Sequence, residues 1–371
     1  MDFNRRAFIA GTAVLAGAAA ATGARATAAP VAPGPIFGPM PGQAQLSRNE
    51  NPYGPAPSAV AAITDSCTKG CYYADRGLKM LTEMIAERHG LTPDHVVVGS
   101  GSTELLSAIA LSWGSKGTIV CPELFWDTTV QYGEQKGAKA IRVPLTADMR
   151  VDLAGMQAAL TPQVSLVQIN NPNNPTGEVL DNAALRRFAA ALPQGTTLLL
   201  DEAYNELTDR PEGETIVDMV REGKDVIVCR TFSKIYGMAG LRVGYALTTP
   251  EHARRISEYI MSFGGNIAGL AGAIASYNDD AFLRSSKAMI TEGREMILDA
   301  VAKAGLRALP TQTNFVFVEV ADANAVQKAM AAKDILIRGT YGKWARYSRV
   351  STGKLEDVAR YAAALPEVVG V

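Results

Sequence analysis

The sequence predicts an α/β protein, in which a large domain built on a mainly parallel sheet between helices is followed by a small C-terminal α+β domain. Two observations carry that expectation. Between about residues 79 and 247, apolar runs of strand length alternate with amphipathic helical patterns, an order that sets parallel strands side by side with helices on both faces. After a long helical stretch the pattern changes to a short mixed set of strands and helices. A chain of 371 residues, 47% of them apolar, has enough material for two hydrophobic cores.

The elements follow in order. Asn4-Arg5-Arg6-Ala7-Phe8-Ile9 is a twin-arginine pattern, and an uncharged stretch rich in Ala, Gly and Thr runs from it to Ala24. Residues 1–26 therefore read as a twin-arginine export signal, which places the mature protein in the periplasm or outside the cell; left unused, the signal leaves the protein in the cytoplasm. The stretch is too weakly apolar to read as a membrane anchor, so no stable membrane association is expected once it is removed. Residues 27–60, rich in Pro and Gly from Pro30 to Pro57, form an extended arm. Residues 61–260 make the large domain. Its seven strands are Val96-Val98, Thr118-Cys121, Ala140-Val143, Ser165-Ile169, Thr197-Leu200, Asp225-Cys229 and Leu241-Leu247, and helical patterns around Lys79-His89, Glu104-Trp113, Thr128-Lys136, Leu153-Ala159 and Ala183-Leu192 separate most of them. A connecting helical region runs from about Pro250, at the end of the large domain, to Gly305, and residues 261–371 hold most of it and then the small domain: strand Asn314-Val320, helix Ala323-Lys333, strands Ile335-Arg338 and Tyr347-Ser351, and a last helix from Lys354.

Composition excludes several functions. Lys and Arg number 36 against 37 Asp and Glu, so no basic excess exists to neutralise the phosphates of a nucleic acid. Four cysteines and three histidines are few and scattered; Cys67 and Cys71 lie four apart, but no second ligand pair follows at zinc spacing, and no metal site is expected.

Four segments carry chemistry. Thr231 to Arg242 is a glycine-punctuated loop after a strand, with Lys234 flanked by hydroxyls at Thr231 and Ser233 and by a guanidinium at Arg242. That company suits a Schiff-base amine beside a phosphate site, although a lysine in a surface turn is the plainer reading. Leu198-Leu199-Leu200 delivers Asp201 to the same sheet edge. A buried carboxylate needs a cationic partner, which a pyridinium nitrogen supplies; the plainer reading is a helix cap. The run Asn170 to Gly177, with two prolines and a glycine, fixes a rigid turn that holds an amide, with Tyr204 as a second donor nearby. Last, Val98-Gly99-Ser100-Gly101-Ser102-Thr103-Glu104 is a strand, a glycine loop and a helix start, which forms an anion cup but not a dinucleotide fingerprint. Phe125 and Trp126, after Pro122, are aromatics placed to stack on a ring or to fill the core.

Together these segments resemble fold type I pyridoxal phosphate enzymes and, within them, the histidinol-phosphate aminotransferase family of class I/II. The likeness runs from Leu46 almost to the C-terminus through Asn49 to Gly54, Tyr73-Ala74-Asp75, Gly101 to Glu104, Asn171 to Gly177, Asp201 to Tyr204, Ser233 to Arg242, Thr313-Asn314-Phe315 and Arg349 to Gly353. The resemblance implies that Lys234 carries pyridoxal 5′-phosphate as a Schiff base and that Asp201 pairs with the ring nitrogen. It implies that Asn174 and Tyr204 bind the ring oxygen, that Ser102, Thr103, Ser233 and Arg242 hold the phosphate, and that Trp126 stacks on the ring with Phe125 in reserve. Tyr73 matches a tyrosine that reaches a neighbouring subunit's phosphate, which implies a homodimer with shared sites. Arg349 would clamp the substrate carboxylate, with Asn174 and Tyr53 as further substrate contacts. Two departures stand out: Ala74 replaces the usual proline after Tyr73, and Glu123-Leu124-Phe125-Trp126 is two residues longer than the usual spacing after the proline.

The expected activity is a ping-pong transamination between an L-amino acid, or an amine like histidinol phosphate, and a 2-oxo acid. Lys234, Asp201 and Tyr204 are its catalytic residues. A decarboxylase of the same fold shares almost every cofactor contact and is the alternative. A regulator would need an added interaction domain, and before Leu46 the sequence holds only the signal and the arm.

Overall fold

A computed structural model describes residues 34–370, and its centre is a seven-stranded sheet. The twin-arginine stretch and the expected signal boundary lie outside the described residues. The described chain from Gly42 onward is one compact unit, and residues 34–41 lie outside it.

Three elements precede the sheet: β1 (Ala44–Gln45), α1 (Pro57–Ser66) and α2 (Asp75–His89). The sheet takes its strands from the expected apolar runs, as β2 (Val96–Gly99), β3 (Thr118–Pro122), β4 (Lys139–Val143), β5 (Val164–Asn170), β6 (Thr197–Asp201), β7 (Val226–Thr231) and β8 (Gly244–Thr248). Between them run α3 (Ser102–Gly114), α4 (Thr128–Gln135), α5 (Leu153–Ala158), α6 (Asn182–Ala190), α7 (Pro211–Glu214) and α8 (Val217–Arg221). The spatial order is β2-β8-β7-β6-β5-β3-β4. All pairings are parallel except those of β8, which runs against both its neighbours. Every residue of β5, β6 and β7 is buried, as expected of central strands covered on both faces.

The last of the expected strands, Leu241-Leu247, begins three residues late. Ala239–Leu241 is instead a short 3-10 turn, and Arg242 takes a left-handed backbone with φ 52°. A non-glycine residue in that region is strained, and the strand starts only once the chain has left it.

The region expected as a connecting helix is three helices, α9 (Pro250–Ser257), α10 (Ile267–Ser276) and α11 (Asp280–Lys303). Leu270, Ala273 and Tyr277 pack into the apolar cluster of the seven-stranded sheet, in the stretch expected as the large domain. Along α11, Ile290 joins that same cluster while Ile297, Ala300 and Val301 join a second one in the stretch expected as the small domain, so one helix is anchored in both clusters of the same compact unit.

The stretch expected as the small domain, part of the same compact unit, adds β9 (Arg307–Ala308), β10 (Phe315–Glu319), α12 (Ala323–Ala331), β11 (Ile335–Leu336), β12 (Tyr347–Ser351) and α13 (Leu355–Val369). Its three-stranded antiparallel sheet has the order β12-β10-β9. The arm is partly woven into it: β1 pairs in parallel with β11, and Ala44 and Leu46 are fully buried among Val316, Val350 and Val358. Burying Leu46 alone stabilises the attachment by about 1.5–3 kcal/mol. Among the described residues, no helix is long and apolar enough to cross a membrane.

Candidate active site

Asp201 ends β6 beside Asn170 of β5 and Cys229 of β7, at the carboxyl edge where an open parallel sheet collects its chemistry. Its side chain is 4% exposed. Burial pushes the carboxyl up to about 7, against the pull of the Ala203 amide, which donates to Oδ1 at 3.2 Å, and of Lys234. Strand alternation turns the next residue away: Glu202 makes a buried ion pair with Arg230 at 2.8 Å and accepts from Thr215, bracing β6 against β7 from behind.

Lys234 sits in the loop after β7. Its Nζ donates to the Asn49 carbonyl at 3.1 Å and lies 5.4 Å from the centre of the Tyr204 ring. Burial lowers its pKa to about 8, with Arg349 and Arg242 adding to the drop and Asp201 and Glu50 opposing it. A substantial fraction of the amine is then a neutral nucleophile near neutral pH.

The segment expected as an anion cup brings the start of α3 close to Arg242. α3 starts at Ser102 with no side-chain cap, so its first amides stay free to donate. Gly101 takes φ 79°, where any other residue is strained, and a Cβ there would also displace the Arg242 guanidinium; at Gly244 a Cβ would run into the Ser102 amide. Arg242 is held by the Ala239 carbonyl at 2.9 Å and by Ser233 Oγ at 3.3 Å, and Thr231 Oγ1 donates to Ser233 Oγ at 2.9 Å. A helix N-terminus, a guanidinium and two hydroxyls thus meet at one point.

Opposite stands Arg349, in the middle of β12 and 7% exposed. Its NH1 donates to Asn174 Oδ1 and its NH2 to the Ser47 carbonyl, both at 2.9 Å. Asn174 Nδ2 donates in turn to Tyr204 Oη at 3.3 Å. The turn carrying Asn174 is tied by Gly177 N to the Asn173 carbonyl at 2.8 Å and by Asn173 Nδ2 to Thr176 Oγ1 at 2.9 Å. Burial raises the Tyr204 phenol to about 12, so it is a hydroxyl at neutral pH.

These groups face one cavity of about 940 Å³, lined by Ser102, Thr103, Trp126, Asn174, Asp201, Tyr204, Ser233, Lys234, Arg242 and Arg349. Phe125 touches the cavity too, but it is 5% exposed and packs into the layer between α3 and the sheet, while Trp126 is only half-buried. Tyr73, expected to reach a second subunit's site rather than this one, does not line the cavity; it is 76% exposed, its ring 4.8 Å from that of Phe263. Tyr53 is turned away, its hydroxyl accepting from Leu355 N at 2.9 Å and donating to the Gly353 carbonyl at 3.3 Å. The reason is local: α13 begins without a side-chain cap, and the Tyr53 hydroxyl serves its first amide.

Sequence reasoning missed the far wall. Arg338, Tyr341 and Trp344 line it, with the Arg338 guanidinium 5.2 Å and the Arg349 guanidinium 5.7 Å from the centre of the Tyr341 ring. Leu124 joins Leu309 and Phe317 in a small apolar cluster against which Tyr341 and Trp344 pack, and Lys343 contacts Glu123 at 2.5 Å. The available signal was Arg338 closing an expected strand, followed by two aromatics in a turn.

The family profile of class I and II aminotransferases matches residues 41–365, nearly all of the described chain. The chain belongs to that family. This aminotransferase is 33% identical over 329 residues to the histidinol-phosphate aminotransferase of Moorella thermoacetica, covering 88% of this chain and 85% of that one. It is 35% identical over 329 residues to histidinol-phosphate aminotransferase 2 of Ralstonia nicotianae, covering 86% and 87%. Among solved structures it is similar to the histidinol-phosphate aminotransferase of Sinorhizobium meliloti in complex with pyridoxal-5′-phosphate, with a TM-score of 0.81, 34% identity, and 88% and 90% of the two chains covered. The expected fold, a mainly parallel seven-stranded sheet between helices, is the one observed.

Proposed function

We propose that this aminotransferase uses pyridoxal 5′-phosphate on Lys234 to move an amino group, in two half-reactions, between an L-amino acid or an amine resembling histidinol phosphate and a 2-oxo acid. One observation carries the reading: Asp201, buried, and Lys234, half-buried, are perturbed in opposite directions and face the same cavity as a free helix N-terminus and Arg349. The residues suit the cofactor. Asp201 has no cationic side chain within ion-pair distance among the described residues, and a ring N–H⁺ would supply one. Asn170 Oδ1 and Arg349 Nε, both buried at this cavity, have no partner among the described residues.

Ser102, Thr103, Ser233 and Arg242 would hold the phosphate, Asp201 the ring nitrogen, Tyr204 and Asn174 the ring oxygen, and Trp126 a ring face. When bound, the cofactor supplies an electron sink for the pair left at the substrate Cα. Lys234 Nζ would take the proton from Cα and deliver it to C4′ of the cofactor, and its lowered pKa matches that base and acid work near neutral pH. Arg349 clamps the α-carboxylate and so fixes the Cα–H bond. Arg338, exposed at the mouth and outside any ion pair among the described residues, supports a second anion on the substrate, such as the phosphate of histidinol phosphate. The relatives above are named as aminotransferases, which favours transfer over decarboxylation.

The test is a screen of amino donors, histidinol phosphate included, against common 2-oxo acids, with the products identified. Transfer without CO₂ release is expected; CO₂ release with the amino group retained overturns the reading.

A homodimer is supported by the exposed aromatics Tyr72, Tyr73 and Phe263, an apolar group that a second copy would cover. Sedimentation should give twice the monomer mass. Export by the twin-arginine route is supported by Arg5-Arg6 and the small residues up to Ala26, and fractionation of cells should recover the mature form outside the cytoplasm.

A further inference from the structure

The arm segment around Asn49 touches the cofactor loop, the phenol and the substrate arginine at once. Leu46 accepts from Ser351 N at 2.8 Å, Ser47 accepts from Arg349, and Asn51 Nδ2 donates at 2.7 Å to the carbonyl of Ile235, the residue after Lys234. Asn49 lies in the middle, 5% exposed, with three of its polar atoms in use. Its Nδ2 donates to Tyr204 Oη at 2.9 Å, its Oδ1 accepts from Ser351 Oγ at 2.7 Å, and its carbonyl accepts from Lys234 Nζ at 3.1 Å.

A phenol hydroxyl has one hydrogen to give and two lone pairs. Asn174 must present its NH₂ to Tyr204, because its Oδ1 faces Arg349 and a guanidinium only donates. Asn49 presents a second NH₂ to the same oxygen. With amide donors on both lone pairs, the hydrogen of Tyr204 is left to point into the cavity.

We propose that Asn49 is a positioning residue, which fills one side of the Tyr204 oxygen so that the phenol donates toward the cofactor, while its carbonyl receives the Lys234 amine. This rests on the cofactor reading above. The two donors also polarise the O–H they hold, strengthening what it gives. A purely structural asparagine, present only to satisfy buried polar atoms, predicts lost stability and no change in anything that depends on Tyr204.

The experiment compares the holoenzymes of wild type, Asn49→Ala, Asn49→Asp, Tyr204→Phe and the Asn49→Ala/Tyr204→Phe pair. The readouts are the pH midpoint of the visible absorbance of the Lys234-bound cofactor and the kinetics of transamination. The charges around the pair stay in place throughout: Asp201 and Glu50 on the acidic side, Arg349 and Arg242 on the basic side. A hydrogen donated to the ring oxygen favours its anionic form, so weakening that bond raises the midpoint. Asn49→Ala should raise it by about half a unit and lower kcat about tenfold, with the donor KM little changed. Asn49→Asp keeps the shape but only accepts; it takes the Tyr204 hydrogen, its charge pushes the same way, and the rise should be about a full unit or more. The pair should titrate like Tyr204→Phe alone. A midpoint for Asn49→Ala that coincides with wild type, or a shift that adds in full to that of Tyr204→Phe, overturns the proposal. A wild-type protein without visible absorbance would instead sink the cofactor reading.

Discussion

Asp201 and Arg349 face the same cavity but reach it by different routes. Asp201 is the last residue of a buried strand whose neighbours on both sides are fixed by sheet register, and its surroundings come from one domain. Arg349 stands on a small antiparallel sheet and is held by Asn174 from the large domain and Ser47 from the arm, while the wall beside it joins Leu124 to Tyr341 and Trp344 across more than half the chain. The floor is local and rigid, and the rim is composite. Bond-making groups gain most from fixed positions. Groups that must accept a donor and then a different acceptor gain from sitting on segments that can be changed separately.

The largest effects should come from the floor. Lys234→Ala should lower transamination by at least about 10⁴-fold in a steady-state assay, with far-ultraviolet circular dichroism unchanged, because it removes both the cofactor attachment and the proton carrier. Asp201→Asn should cost about 10²–10³-fold. It also carries a pH signature. The Asp201 carboxyl titrates near 7 in the folded protein against an ordinary 3.8, so the folded chain keeps a proton that the unfolded chain releases. Its contribution to stability is therefore present in full below about pH 4 and is lost as pH rises toward 7. Melting temperatures of the cofactor-free protein should fall over that window more in wild type than in Asp201→Asn. Equal slopes would show that the buried carboxylate is paired after all.

Effects at the rim should fall on binding. Arg349→Lys keeps the charge but loses the fork, and the KM for every donor should rise about 10- to 100-fold with a smaller change in kcat. Arg338→Gln should raise KM by a similar factor for phosphorylated or dicarboxylic donors and leave monocarboxylic donors within about twofold. A uniform loss across donors would place Arg338 with the floor.

The same contrast explains what could be read in advance. Asp201, Lys234, Ser102 and Arg242 were legible because each follows an apolar run of strand length or a glycine loop, and strand ends in an alternating α/β chain converge on one edge. The start of β8 was misjudged because the left-handed turn at Arg242 is a tertiary demand: its guanidinium must reach the space that Gly101 leaves open. Tyr53 lies outside the cavity because an uncapped helix more than 300 residues downstream claims its hydroxyl. Arg338, Tyr341 and Trp344 carry only the weak signal of an arginine at a strand end and two aromatics in a turn, and Asn49 lies in a segment that carries the resemblance but had no role, since their partners are set by tertiary contacts across the chain and with the arm.

The smallest effect tests whether packing or charge holds the rim. Leu124 is 3% exposed within its apolar cluster, and Leu124→Ala should destabilise the protein by about 2–3 kcal/mol in chemical unfolding. Lys343 contacts Glu123 at 2.5 Å, but its side chain is 65% exposed, so water screens the pair and holding it costs side-chain entropy. Lys343→Ala should change stability by less than about 1 kcal/mol and KM by less than about twofold, and 0.5 M salt should do the same to wild type. If Lys343→Ala instead raised the KM of anionic donors tenfold while leaving stability alone, the lysine would be a third cation for the substrate, with Glu123 only its resting partner, and the rim would select by charge as well as by shape.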